Sequence, residues 1–175
     1  MSERPEHKPA LAGKATTEGS GIRLEPLPEG HLLHVMGAFD GDTLAGSLSA
    51  AGLAKSAIQQ AGHQQWCVTG DESLPSSQIA LLADHLRGKG FVCDQSHGRI
   101  RIALSGFRAQ ELLSQGTAVD LDPAAFPVGH SAVTLFGHIS VQLTRTHATR
   151  FEFAVLRSFA EDLYDMLERA ALASA

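Results

Sequence analysis

Residues 99–104 constrain the fold more than any other stretch of the chain. Ile100, Ile102 and Leu104 alternate with Arg99, Arg101 and Ala103, the period of a strand with one buried and one wet face. Ser105-Gly106 closes the strand, and a short apolar helix over residues 107–114 follows at once. A strand that is wet on one side does not belong in a sheet covered on both faces. The reading is therefore α+β, with helices packed on one face of a mixed or antiparallel sheet.

Other elements fit that frame. Residues 22–27 and 31–39 read as strands parted by a Pro28-Glu29-Gly30 turn, with Leu33, Val35 and Ala38 facing inward. Over residues 43–60 a loose helical stripe of Leu44, Leu48, Ala51 and Ile58 follows an Asp42 or Thr43 cap, weakened by Gly46 and Gly52. Residues 65–69, which contain Trp66, form a strand, and Ser76 or Ser77 opens a helix with Ile79, Leu82, Ala83 and Leu86 on one face. Gly88 and Gly90 end that helix before a strand at residues 91–95. Residues 132–136 and 139–144 form a hairpin across Gly137-His138, and residues 151–155 add a strand. Ser158 with Glu161 reads as a capping box for a last helix lined by Phe159, Leu163, Met166, Leu167 and Ala170.

The chain also echoes itself. LHVMGAF, leading into a helix, resembles RIALSGF, which sets Gly37 against Gly106. Likewise QWCVTGDESLPSSQIALLADHL and FEFAVLRSFAEDLYDML share a strand, a Ser-started turn and a helix. Duplicated strand-helix-strand units would produce this pattern.

The 175 residues, 43% of them hydrophobic, suffice for one core, and a single domain is expected over residues 21–173. Residues 1–20, rich in Lys, Glu, Pro, Gly and Ser or Thr, read as a flexible N-terminal arm. A net charge of -5 with 14 Lys plus Arg spread thinly excludes a nucleic-acid partner. No run of about 18 apolar residues and no secretory or organellar leader is present, so a cytoplasmic protein without a membrane partner is expected. Cys67 and Cys93 sit in strand-like apolar runs and read as small buried hydrophobes, without the cationic flanks of a reactive thiol.

Chemistry is sparse. Among nine histidines, His31 and His34 point to opposite faces of one strand, and His63, His85, His97, His130, His138 and His147 stand alone, so no metal site is expected. Asp120 and Asp122 could share acid-base work or a divalent cation, but Asp-Pro starting a turn is the plainer reading. Phosphate loops of the GxGxxG or GxxxxGK[ST] type and GxSxG elbows are absent. Arg108 and Arg157 could each clamp a carboxylate, and beside helix starts they read as surface residues or ion-pair donors to a neighbouring subunit. Catalytic, cofactor-binding and metal residues are accordingly expected to be none.

RIALSGFRAQELLSQG, the Asp-Pro-Ala-Ala-Phe-Pro-x-Gly linker at residues 122–129, and the Arg157-Ser158-Phe159-Ala160-Glu161 helix start stand in a particular order and spacing. Together they resemble the gamma subunit of heterotetrameric sarcosine oxidase and related bacterial N-methyl amino acid oxidoreductase subunits. The resemblance is close over residues 98–172 and looser over residues 8–97, where Pro9-Ala10-Leu11-Ala12 and Trp66 carry it. It implies the α+β fold of the folate-binding domain of the glycine cleavage T-protein, with its internal duplication. Related folate-binding proteins carry Lys-Gly-Cys after the short helix, whereas this chain has Gln115-Gly116-Thr117, which argues against an independent aminomethyltransferase-like or iron-sulfur repair role.

By resemblance the complete enzyme would oxidatively demethylate sarcosine or a related secondary amine and pass the methyl carbon to tetrahydrofolate. FAD, FMN, NAD, tetrahydrofolate and zinc would belong to alpha, beta and delta partner subunits. This chain would be a non-catalytic structural subunit, with apolar positions around Phe126 and Phe136 as interface candidates. The alternative is a stand-alone folate-binding module of one-carbon metabolism.

Overall fold

A computed structural model describes residues 7–173. The chain opens with a short hairpin, β1 (Thr17–Gly19) and β2 (Ile22–Pro26). Next come β3 (His31–Gly37), α1 (Gly41–Ala50), β4 (Ala57–Gly62), β5 (Gln65–Gly70), α2 (Ser76–His85) and β6 (Gly90–Asp94). The rest comprises β7 (Arg99–Ser105), α3 (Ala109–Ser114), β8 (Ser131–Phe136), β9 (Ile139–His147), β10 (Arg150–Leu156), a 3-10 turn at Arg157–Phe159 and α4 (Ala160–Ala173).

The strands form two antiparallel sheets, a six-stranded one ordered β1-β2-β7-β10-β9-β8 and a four-stranded one ordered β4-β5-β3-β6. Four strands of the larger sheet, β9-β10-β7-β2, repeat the order of the smaller one. β7 then takes the role of β3, β10 that of β5 and α4 that of α2, while β2 fills from the N-terminal side the slot that β6 occupies. The sequence echo falls on these equivalent positions. Gly37 and Gly106 end the corresponding strands, and both donate their backbone N–H into the following hairpin turn, to Gln64 O and Thr149 O, each at 3.0 Å. A Cβ at Gly106 would lie 2.0 Å from the Gly21 carbonyl oxygen, and its φ of +123° is one that only glycine adopts without strain.

Alternation then sets the layers. Leu33 and Val35 of β3 and Val68 of β5 pack against Leu44, Leu48, Leu82 and Leu86 of the α1 and α2 layer, with Trp66 at its margin. Ile100, Ile102 and Leu104 of β7 and Phe151, Phe153 and Val155 of β10 meet α3 and α4 in the larger core. The opposite faces of the two sheets meet each other, with Leu32, Cys67 and Ala154 buried between them. The face of β7 expected to be wet is thus turned toward a second sheet, and Ala103 on it is fully buried. The order of layers is helix, sheet, sheet, helix.

Several boundaries differ from the sequence reading. The helix expected over residues 43–60 ends at Ala50, because Gly52 turns to φ +77° and Leu53 N–H reaches back to Leu48 O at 2.7 Å; Ile58 belongs to β4. Its cap is Asp40, whose carboxylate accepts from Thr43 N–H at 2.8 Å. In the last helix Ser158 lies inside the 3-10 turn and Phe159 is exposed, while Ala160, Leu163, Tyr164, Leu167 and Ala171 form the buried stripe. Cys93 is exposed on β6 rather than buried.

Residues 1–6 of the expected arm lie outside the described residues. Its remainder packs on the body: Leu11 is buried, Lys14 pairs with Asp165, and Thr17 Oγ1 donates to Glu168 at 2.5 Å.

Candidate functional site

Buried polar side chains of this chain converge on the gap between the sheets. Gln59, Thr69, Gln142 and Thr144 point into it and are buried. A polar seam crosses it: Thr144 Oγ1 lies 2.8 Å from Ser131 Oγ and 3.3 Å from Gln59 Oε1, and Gln142 Nε2 donates to Ser131 at 3.1 Å. This seam joins β4, the edge of one sheet, to β8 and β9 at the edge of the other.

One end of the gap is a cavity of about 470 Å3 bordered by Lys55, Thr69, Arg101, Thr144, Arg150 and Glu152. Its arginines are engaged within the chain. Arg101 donates to the carbonyls of Gly70 at 3.1 Å and Pro28 at 3.3 Å and pairs with Asp71, which ties β7 to the loops of the smaller sheet. Arg150 pairs with Glu25 at 2.6 Å and Glu152 at 3.5 Å. Burial pushes the Glu25 carboxyl up, but hydrogen bonds from Arg150 and Arg23 together outweigh it and hold the group below its ordinary value.

Arg145 borders the same end and is 1% exposed, the bulkiest of the fully buried side chains. Its Nη1 donates to Phe126 O at 3.1 Å and its Nη2 to Gln110 Oε1 at 2.7 Å and Leu121 O at 3.2 Å, while the guanidinium lies over the Phe151 ring at 4.8 Å. Among the described residues no carboxylate pairs with it, and carbonyl dipoles and a ring face carry the charge. The sequence reading missed Arg145 because it stopped that strand at residue 144. The signal was parity: Arg145 continues the buried row Ile139, Val141, Leu143.

The interface candidates Phe126 and Phe136 are both 4% exposed, so they are core residues. Phe136 meets Phe153 edge-on at 5.9 Å and covers Gly116, where a Cβ would lie 2.4 Å from its ring; Phe126 supplies the carbonyl to Arg145. Thr117, where the related proteins have cysteine, bonds Thr134 at 3.1 Å. Arg157 donates to Glu29 at 3.0 Å and Lys8 O at 2.6 Å, and Arg108 to Glu111 at 3.0 Å, so each has a partner within the chain. Burial raises the Glu29 carboxyl, but the Ala10 N–H, His7 and Arg157 together hold it below its ordinary value.

Asp120 and Asp122 each accept from the backbone two residues on, at 3.0 and 2.9 Å, as a turn requires. His31 and His34 take opposite faces. The Glu72 carbonyl can only accept, so His31 Nδ1 carries a proton and donates to it at 2.7 Å, while Nε2 lies 2.8 Å from Ser56 Oγ. His34 bonds Gln65 at 3.1 Å. Burial raises the Cys67 thiol to about 11. Among the described residues no three His, Cys, Asp or Glu side chains converge to hold a metal, and no helix is long and apolar enough to cross a membrane.

The other end of the gap is a cavity of about 110 Å3 bordered by Leu32, His34, Cys67, Arg99, Val133 and Gln142. Arg99 is half-buried there, and its side chain makes no hydrogen bond or ion pair among the described residues.

The fold has known counterparts. A chain of the heterotetrameric sarcosine oxidase from Corynebacterium sp. U-96, solved in complex with pyrrole 2-carboxylate, overlays with a TM-score of 0.79 at 22% identity, covering 97% of each chain. The glycine cleavage system aminomethyltransferase T from Bartonella henselae matches at 0.59 and 16% identity over 85% of this chain and 45% of its own. The regulatory subunit of aspartate kinase from Thermus thermophilus matches at 0.50 and 13% identity over 93% and 99%. At these identities the likenesses establish the fold, including the T-protein-like α+β arrangement. No curated protein sequence matches the chain. The profile of the sarcosine oxidase, gamma subunit family matches residues 42–173, most of the 175, and the chain belongs to that family.

Proposed function

We propose that this chain is the non-catalytic structural subunit of a cytoplasmic, sarcosine oxidase-like heterotetramer. The observation that carries the proposal is the family match over residues 42–173, joined to an overlay that spans 97% of a sarcosine oxidase chain. The assembled enzyme would oxidatively demethylate sarcosine or a related secondary amine and pass the methyl carbon to tetrahydrofolate, with FAD, FMN, NAD, tetrahydrofolate and zinc held by alpha, beta and delta partners.

This reading places those groups on the partners. The chain's described donors do not converge for zinc, and Arg101 and Arg150 of the larger cavity are already matched by Asp71, Glu25 and Glu152. Its contribution is a rigid double-sheet body rather than a reacting group.

Coexpression with the products of the genes flanking its own, followed by sizing and flavin absorbance, tests this reading. The expected result is a stoichiometric flavoprotein complex, with no flavin and no turnover in the isolated chain. Turnover of sarcosine by the isolated chain, or its titration with tetrahydrofolate at one site, would replace the proposal with the stand-alone folate module.

A further inference from the structure

We infer that the open end of the inter-sheet gap, centred on Arg99, is where a partner subunit docks, and that the docking segment inserts one carboxylate side chain among apolar neighbours. This deepens the subunit reading above and rests on it. Arg99 faces a cavity of about 110 Å3. Pockets for small molecules run from about 300 Å3 upward, so this one suits a single side chain. His34 stands beside Arg99, and no carboxylate borders the cavity. A guanidinium without an anionic partner, in a recess that one side chain fills, selects an Asp or Glu.

The surroundings favour a protein partner. Met36 and Phe91 are cross-strand neighbours on the His34 side of the smaller sheet, and Phe91 is 77% exposed. Val133 and Leu135 stand opposite Gln142 and Ser140 on the facing sheet, 64% and 54% exposed, and Leu156 is paired with Arg99 itself. Five of the ten exposed large hydrophobics among the described residues thus lie on strands at this end of the gap, and Val133 lines the recess itself. Two of those strands, β6 and β8, are sheet edges. β8 carries no charged residue along its edge.

The test uses the tagged chain coexpressed with its flanking-gene products. Arg99→Glu and the double change Val133→Asp with Leu135→Asp should cut captured partner by about tenfold or more, as loss of a central anchor does. Leu81→Asp, on the outer α2 layer, should capture as the parent does. Far-UV dichroism establishes that each variant is folded. Hydrogen exchange on the parent complex needs no variant and should show β6 and β8 protected relative to the free chain. Undiminished capture by both variants, or unprotected β6 and β8, overturns the docking site and leaves the subunit reading intact. Failure of the parent to capture any flanking-gene product overturns both. A dimer of the isolated chain that Val133→Asp abolishes, with capture unchanged, assigns the rim to a second copy and also overturns the inference.

Discussion

Arg99 and Arg101 leave the same face of β7, two residues apart, and meet opposite fates. Arg101 reaches three groups on the smaller sheet and its loops, two carbonyls and the Asp71 carboxylate, and its side chain is only 10% exposed. Arg99, at the other end of the gap, reaches none among the described residues and faces an apolar rim. The two ends of the gap therefore differ in kind. One end is closed electrostatically and holds the sheets together. The other presents cationic and apolar groups that only another molecule could match.

Substitutions can break that contrast, beginning at the closed end. Arg145→Ala should be the most damaging, because it leaves the carbonyls of Leu121 and Phe126 and the Gln110 amide without their donor and opens a void against Phe151. A loss of about 3 kcal/mol in urea unfolding is expected, and Arg145→Lys should recover little of it, since an ammonium lacks the planar fork. Arg101→Ala should cost about 1 kcal/mol, less because Asp71 is 67% exposed and stays hydrated. Equal stability of Arg101→Ala and the parent would mean that the closed end does not hold the sheets.

Acid should weaken the fold as well. Glu25 and Glu29 are both held below their ordinary value of 4.5, so the native state favours the charged carboxylates. Their contribution is complete above that value and is lost as pH falls through the lower folded ones. Unfolding midpoints should decline below about pH 4.5, and less steeply in Glu29→Gln, which is already uncharged. An unchanged slope in that variant would remove Glu29 from the account.

Much of the architecture was legible because strand parity is a local property. Ile100, Ile102 and Leu104 announce the buried face of β7, and the Gly37 and Gly106 echo marks equivalent strand ends. The gap itself was hidden, because Gln59, Thr69, Gln142 and Thr144 are polar and read as solvent-facing until a second sheet covers them. Ile58 extended a helical stripe by coincidence of spacing, and the Gly52 turn overrode it. Phe126 and Phe136 failed as surface candidates for a related reason. An aromatic residue near a Pro-rich linker suits an interface or a core equally, and the choice depends on partners distant in sequence, here Arg145 and Phe153.

The two thiols give a smaller but sharper contrast. Cys67 lies buried between the sheets with its thiol raised to about 11, whereas Cys93 is exposed beside Phe91 on β6. Only thiolates react quickly with maleimide, so at neutral pH the native chain should label once, at Cys93, and twice only after unfolding. Rapid double labelling would mean that the sheets separate readily. In the assembled complex Cys93 should slow markedly if its edge strand is covered.

Arg99→Gln should have the smallest effect of all on the isolated chain. The side chain makes no hydrogen bond or ion pair among the described residues, so its removal breaks nothing within the fold. Stability should stay within about 0.5 kcal/mol of the parent. It could even rise slightly, because a cation held in a half-covered recess forgoes part of its hydration without an anion in return. A large loss on this substitution would reveal an internal role for Arg99 and erase its contrast with Arg101. Unchanged stability joined to failed assembly is the combination that separates a residue kept for a partner from one kept for the fold.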